Sequence, residues 1–471
     1  MNYKSIIFYL GIFSLFISLF SILNILYSVY FDFNIDLSSY VITLFVSLFI
    51  GSLSVYIGFN YSKDITLNDQ IVFILLSFIL LPALIAIPYY FSIYNISILN
   101  SYFESVSGFT STGFSIIENV KYIDQPLLLW RSSSQWIGGL FFILAIIGTI
   151  GSKQAKIKPA YLLTGGASGR NFYKNFNYNF IKISSIYFFS TLLIIFLYRM
   201  VDIRLFDAFN LAFTTISSGG FLTTDNLSNI LENNLQILVI SITFLLPILN
   251  FFLLFDIISN RIVSKNNYED LHLLILIILL TILIYFFLVP EEGIFNVFFA
   301  LTSAISTSGI SVYSSNFDLS LLFILLTFVG GSLISTSSGF KYTRIYILLK
   351  ISYQEICRLV KPNNIIDKNL YNSEVKIDDQ TVKIAFLAFI FFIISLFILS
   401  SILTFENLIF EDSFKLAILT LTNTTASSLY GLENLTFFDL NGFTKTALIF
   451  FMIIGKVEII TVIYLFKRFV F

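Results

Sequence analysis

The sequence predicts an all-α membrane protein with ten transmembrane helices and four shorter re-entrant pore helices. Three observations carry that prediction: an apolar composition, ten long hydrophobic stretches, and four short semi-polar segments lying between them. Of 471 residues, 57% are hydrophobic and only 12% are charged. A water-soluble domain cannot cover that much apolar side chain with so little charge, so the solvent is mostly lipid.

The apolar stretches fall at 5–30, 39–60, 71–93, 127–150, 179–200, 235–258, 271–289, 319–350, 383–404 and 443–466. Each is near the length that a hydrocarbon layer of about 30 Å requires. The first has a basic start but no small-residue cleavage site, and reads as a retained helix. The intervening segments, 98–110, 204–216, 293–306 and 410–423, are too short to cross and too apolar for solvated loops, so they read as re-entrant. The expected organisation is a two-helix extension over 1–68, then four units over 69–176, 177–268, 269–381 and 382–471. The third unit holds a broken last helix and a linker.

Charge sets the expected orientation. With the N-terminus inside, Lys4, Lys63, Lys153, Arg170, Arg261, Arg344 and most other Lys and Arg fall on the cytoplasmic side. Asp32, Asp36, Glu118, Asp124, Asp225, Asp318, Glu411 and Asp412 collect on the other, where they would concentrate cations. A net charge of −1 gives no indication of nucleic acid. With one histidine (His272) and one cysteine (Cys357), a His-based metal or catalytic cluster and an internal disulfide are both excluded. No nucleophile or acid/base constellation supports an enzyme.

Each short segment ends in small, hydroxyl-bearing residues. The four runs are Ser107–Phe114, Thr214–Phe221, Ser303–Ile310 and Leu421–Ser427, anchored at Gly113, Gly219, Gly309 and Thr425. A unit of helix, half-helix, loop and helix used four times is a repeat. A dehydrated monovalent cation needs several oxygen ligands at once, and backbone carbonyls turned to an axis supply them. The C-terminal end of a short helix favours a cation there. The expected ion-facing pairs are Thr112 and Gly113, Ser218 and Gly219, Ser308 and Gly309, and Thr424 and Thr425. A broken-helix secondary transporter is the other reading, but it predicts two inverted repeats around a midplane site.

Phe103–Gly113, Trp130-Arg131 with Gln135–Gly139, Gly219–Phe221 with Thr224-Asp225, Val329–Lys341 and Ile454–Thr461 together resemble the Trk/Ktr/HKT superfamily, specifically its TrkH-type bacterial potassium uptake subunits. The two extra N-terminal helices favour that type. The resemblance implies K⁺ as the transported ion, held by backbone carbonyls, and no cofactor in this chain. It also implies a homodimer in the bacterial inner membrane and a TrkA-type cytoplasmic nucleotide-binding subunit docking on basic segments 153–182, 261–265 and 341–383. Uptake could be channel-like or coupled to Na⁺ or H⁺.

The break at 330–339, with Gly330, Gly331 and Gly339, is expected below the filter as a gate, together with Lys456 facing the pore and Glu458 facing another repeat. Three departures from the family stand out. Thr425-Ala426 replace Gly-Pro, Lys456 replaces Arg, and serines replace some glycines of the break. These bear on K⁺ over Na⁺ preference and on gating. Asp256 and His272 are placed near the cytoplasmic ends without a role.

Overall fold

The computed structural model describes residues 2–61, 67–150, 176–251, 253, 268–312, 319–360, 369–371, 377–406, 408–432 and 435–457. Among them the regular elements are helices. Two antiparallel helices, α1 (Tyr3–Tyr30) and α2 (Leu37–Gly58), form the N-terminal extension. Ser21 on α1 donates to the Tyr40 carbonyl on α2 at 2.5 Å, the small-residue, hydroxyl-mediated packing that lipid-embedded helices favour.

A long helix, a twelve-residue helix and an inner helix then recur four times. The first unit is α3 (Leu67–Phe91), α4 (Ile98–Phe109) and α5 (Gln125–Ile150). The second is α6 (Phe176–Met200), α7 (Leu205–Ile216), α8 (Asn234–Thr243) and the short α9 (Leu245–Ile248). The third is α10 (Tyr268–Phe287), α11 (Ile294–Ile305), α12 (Ser320–Val329) and α13 (Tyr342–Val360). The fourth is α14 (Asp379–Thr404), α15 (Phe410–Leu421) and α16 (Gly442–Val457).

Six helices among the described residues are long and apolar enough to cross a membrane: α1 and α2 with η-turn Phe59–Tyr61, α3, α6, α10 and α14. These are the extension and the first helix of each unit, whose exposed faces are Leu, Ile and Phe. The other four expected spans belong to the inner helices, and they differ for a physical reason. α5 carries Arg131, Ser132, Ser133, Ser134 and Gln135, all buried against protein rather than lipid. α8 gives way to α9 at Phe244, and α9 ends where Leu249 turns extended. Gly330 (φ +63) ends α12, and α16 is described to Val457. Where protein rather than lipid covers a helix, as along 131–135 of α5, it need be neither apolar nor continuous.

Each of α4, α7, α11 and α15 has twelve residues, about 18 Å at 1.5 Å per residue, too short to cross. Their C-terminal halves are buried, while their N-terminal ends are the more exposed. Hydrogen bonds from aromatic side chains join the first unit to the second and brace the second internally. Trp136 Nε1 donates to Thr191 Oγ1 at 3.0 Å, and Tyr198 OH pairs with Thr215 and Thr243 hydroxyls at 3.0 and 2.7 Å.

Candidate ion pathway

All four half-helices stop the same way. In the first, Ser111 is left-handed (φ +58), its N–H bonds Gly108 O at 2.9 Å, and Thr112 N–H bonds Ser107 O at 2.9 Å. That is a Schellman C-cap, with serine in the left-handed position usually held by glycine. Ser218 (φ +52) and Asn423 (φ +49) repeat both bonds, while Thr307 (φ +61) repeats the first, to Ala304 O at 3.0 Å. A second contact recurs one step on. Thr110 and Thr112 hydroxyls lie 2.7 Å apart, Ser306 and Ser308 3.0 Å, and Thr422 and Thr424 3.0 Å.

The second loop breaks that pattern informatively, because Gly219 has no hydroxyl. A β-carbon built there would lie 2.3 Å from Gln135 Oε1, so the Gln135 amide occupies the side-chain space, and Phe221 N–H donates to it at 3.4 Å. The expected register in this loop therefore needs a one-residue correction. Ser218 matches Ser111, Thr307 and Asn423. Gly219 matches Thr112, Ser308 and Thr424. Gly220, not Gly219, matches Gly113, Gly309 and Thr425.

Those four residues meet. A β-carbon on Gly113 would lie 2.1 Å from Thr425 Oγ1 and 3.2 Å from Gly220 N. One on Gly220 would lie 1.6 Å from Thr425 Oγ1 and 2.7 Å from Ser308 O, and one on Gly309 would lie 2.6 Å from Thr425 O. Gly113 (φ +80) and Gly309 (φ +67) also have left-handed backbones, so they are glycine for two reasons. Thr425 avoids positive φ and turns its hydroxyl inward, donating to Thr112 O at 3.0 Å. All four residues line one cavity of about 390 Å³, together with Glu118, Asp225 and Arg131.

The walls are held by polar side chains. Buried Arg131 pairs with Glu104 at 2.9 Å, and Glu104 accepts the Ile116 N–H at 2.9 Å, fixing the chain just beyond Gly113. The Arg131 guanidinium also stacks 4.2 Å from the Phe221 ring, bracing the second loop. Asn423 Nδ2 donates to both Thr112 Oγ1 and Met452 O at 2.9 Å, linking the first and fourth loops. Sequence reasoning did not find Gln135 or Asn423 as loop anchors. An asparagine just past a short helix is a left-handed cap signal.

The expected gate residues come together at a non-helical loop that does not line this cavity. Gly330 (φ +63) and Gly339 (φ +81) close the neck of a non-helical loop, and a β-carbon on Gly330 would lie 2.5 Å from Ser338 O. Gly331 packs on the second unit, where a β-carbon would lie 2.7 Å from Ile248 O. Ser338 N–H donates to Thr307 Oγ1 at 2.9 Å, so the loop abuts the end of α11. Lys456, 1% exposed, donates to Thr336 O at 3.4 Å and Ser338 Oγ at 3.0 Å, and its ammonium lies 4.5 Å from the Phe142 ring. Lys341 joins it, donating to Ser335 and Ser337 carbonyls. Glu458, Asp256, Asp318, segment 261–265 and most of 153–182 lie outside the described residues.

Four half-helices converging on one cavity, within a body of membrane-length helices, define a multi-pass membrane protein. The TrkH family, described as cation transport proteins, matches residues 37–269 and 318–469. The chain belongs to the TrkH family. It is 27% identical over 451 residues to the Trk system potassium uptake protein TrkG of Escherichia coli strain K12, covering 91% of this chain and 90% of that one. An uncharacterised cation transporter of Methanocaldococcus jannaschii is 27% identical over 393 residues, covering 81% and 79%. The crystal structure of the potassium transporter TrkH from Vibrio parahaemolyticus shares the fold, with a TM-score of 0.84 at 23% identity, covering 99% of this chain and 98% of that one.

Proposed function

We propose that this chain takes up potassium across the bacterial inner membrane through one pore per protomer. The narrowest part is formed by the carbonyls of Thr112 and Gly113, Gly219 and Gly220, Ser308 and Gly309, and Thr424 and Thr425. The observation that carries this reading is the convergence of residues 113, 220, 309 and 425 at one cavity, each just beyond the C-terminal end of a half-helix. Helix ends aimed at a common point favour a cation, and carbonyls closely spaced around it replace its water. The names of the relatives, Trk system potassium uptake proteins, support K⁺ as that cation.

Glu118 and Asp225 at the cavity then face outside and attract cations, and both termini face the cytoplasm. The loop over 330–341 and Lys456 obstruct the inner side. A regulatory nucleotide-binding subunit of the TrkA kind relieves the obstruction, and the pore chain works as a homodimer. A Na⁺-permeable variant of the same architecture is favoured by one specific feature, the Thr425 hydroxyl on the Thr112 carbonyl.

The test is growth at limiting potassium, and ⁸⁶Rb⁺ uptake, in a bacterium lacking its own uptake systems. Wild type is expected to restore both. Gly113→Asp and Gly220→Asp are expected to abolish uptake with membrane insertion intact, because the side chain would occupy the ion's path. Background uptake by well-inserted wild type would sink the reading.

A further inference from the structure

Two acidic side chains that the ion pathway does not use hold the gate loop and the helix break packed against it. Glu269 and Asp270 are neighbours in the first turn of α10, 1% and 2% exposed. Glu269 Oε1 accepts the Leu333 N–H, inside the gate loop, at 3.0 Å. The same oxygen accepts the hydroxyl of Thr343 in the first turn of α13. Asp270 Oδ1 accepts the Asn250 N–H, just past the end of α9, at 2.8 Å.

The two helix breaks are in turn stitched to each other. Ser332 N–H bonds Ile248 O at 2.9 Å, Ser337 N–H bonds Pro247 O at 3.1 Å, and Phe251 N–H bonds Ile334 O at 2.7 Å. One helical turn therefore grips the broken inner helices of the second and third units together. It also reaches α13, whose Thr343 accepts Tyr371 OH at 3.1 Å and whose Tyr346 ring stacks on Tyr371 at 4.4 Å.

We propose that Glu269 and Asp270 are positioning residues, a two-carboxylate latch that keeps the gate loop in its obstructing place and links it to α13. This rests on the gating role assigned to the loop above. Backbone N–H groups freed from helical bonding need an acceptor when buried, and a carboxylate is the strongest available. Through Thr343, the Glu269 carboxylate makes the position of the loop depend on the position of α13. A pull on α13 or on residues 369–371 from the cytoplasmic side therefore loosens the loop's hold. Losing one charge-assisted bond to a buried N–H shifts a two-state equilibrium by roughly tenfold.

The experiment uses full-length protein in vesicles of mixed neutral and anionic lipid, without any cytoplasmic subunit, in a Cys357→Ser background carrying Thr336→Cys as a reporter inside the loop. Two quantities are read: ⁸⁶Rb⁺ flux, and the rate at which a membrane-impermeant thiol reagent labels residue 336. Glu269→Ala is expected to raise labelling and flux roughly tenfold. Glu269→Gln, which keeps an acceptor oxygen, is expected to stay within a few-fold of the parent.

Thr343→Val leaves the carboxylate in place and cuts its link to α13, together with the Tyr371 bond, so it covers the case in which Glu269→Ala fails to fold. It is expected to raise labelling several-fold. Parental labelling rates in folded Glu269→Ala and Thr343→Val would overturn the latch. Raised labelling with no flux in any variant would uphold the latch and overturn the transport reading.

Discussion

At the residue scale, Thr425 is where this chain departs most from fourfold likeness. Threonine resists positive φ, and the backbone there avoids it. The hydroxyl instead fills the space left by two glycines and donates to Thr112 O, one of the carbonyls assigned to the ion. That changes the number and field strength of the oxygens around a cation, the quantities that separate K⁺ from Na⁺. Thr425→Gly is expected to raise preference for K⁺ over Na⁺ by about tenfold, equal to about 1.4 kcal/mol of relative binding. Paired K⁺ and Na⁺ fluxes in the same vesicles measure it, and equal ratios for the two proteins would place Thr425 outside the coordination shell. Gly220→Ala meets the same hydroxyl at 1.6 Å and is expected to cut flux in the wild type and less so in a Thr425→Gly background, where only the 2.7 Å approach to Ser308 O remains. Simple additivity of the two changes would refute that coupling.

At the element scale, the half-helices were the most legible part of the sequence. Their length, burial of the C-terminal half and hydroxyl-rich ends follow from local composition, and all four appear as twelve-residue helices. The break after Val329 was legible too, since Gly330-Gly331 cannot sustain a buried helix cheaply. What else holds the loop was not, because Glu269 and Pro247 are distant in sequence from the residues they hold. Lys456→Ala removes the ammonium proposed to obstruct the path and one tether of Thr336 and Ser338. It is expected to raise partner-independent flux several-fold, and deletion within 332–338 is expected to raise it more. Unchanged flux in both would return this loop to a packing role.

At the scale of the whole molecule, the N-terminal pair docks on the first unit through a buried acidic contact at one rim. Asp36 Oδ1 accepts the Ile93 N–H at 3.0 Å, and the adjacent Tyr94 hydroxyl reaches Asp124 at 3.3 Å. Burial, with the nearby Asp36 carboxylate adding to it, pushes the Asp124 carboxyl up from 3.8 to about 6. A raised carboxyl favours the folded state when protonated, so this contribution is complete below pH of roughly 4 and is lost as pH rises through about 6. Purified protein is expected to melt higher at pH 4.5 than at pH 7, this group contributing at most roughly 2 kcal/mol over that interval. Asp124→Asn is expected to flatten that part of the profile. An unaltered profile in the variant would assign the dependence to other groups.

Membrane residence and the hydroxyl-rich loops were readable from the chain because each is a local property, set by the apolar content and small residues of a single window. Three things required the folded arrangement. Gly220 rather than Gly219 meets the other loops because Gln135, from a different helix, fills the side-chain space of Gly219. Thr425 points its hydroxyl inward because Gly113 and Gly220, from two other loops, leave a gap of that size. The carboxylates of α10 become a clamp because folding brings two helix breaks, from separate units, against one turn. A contact between distant segments costs no local signature in either of them, so their complementarity exists only once the units have packed.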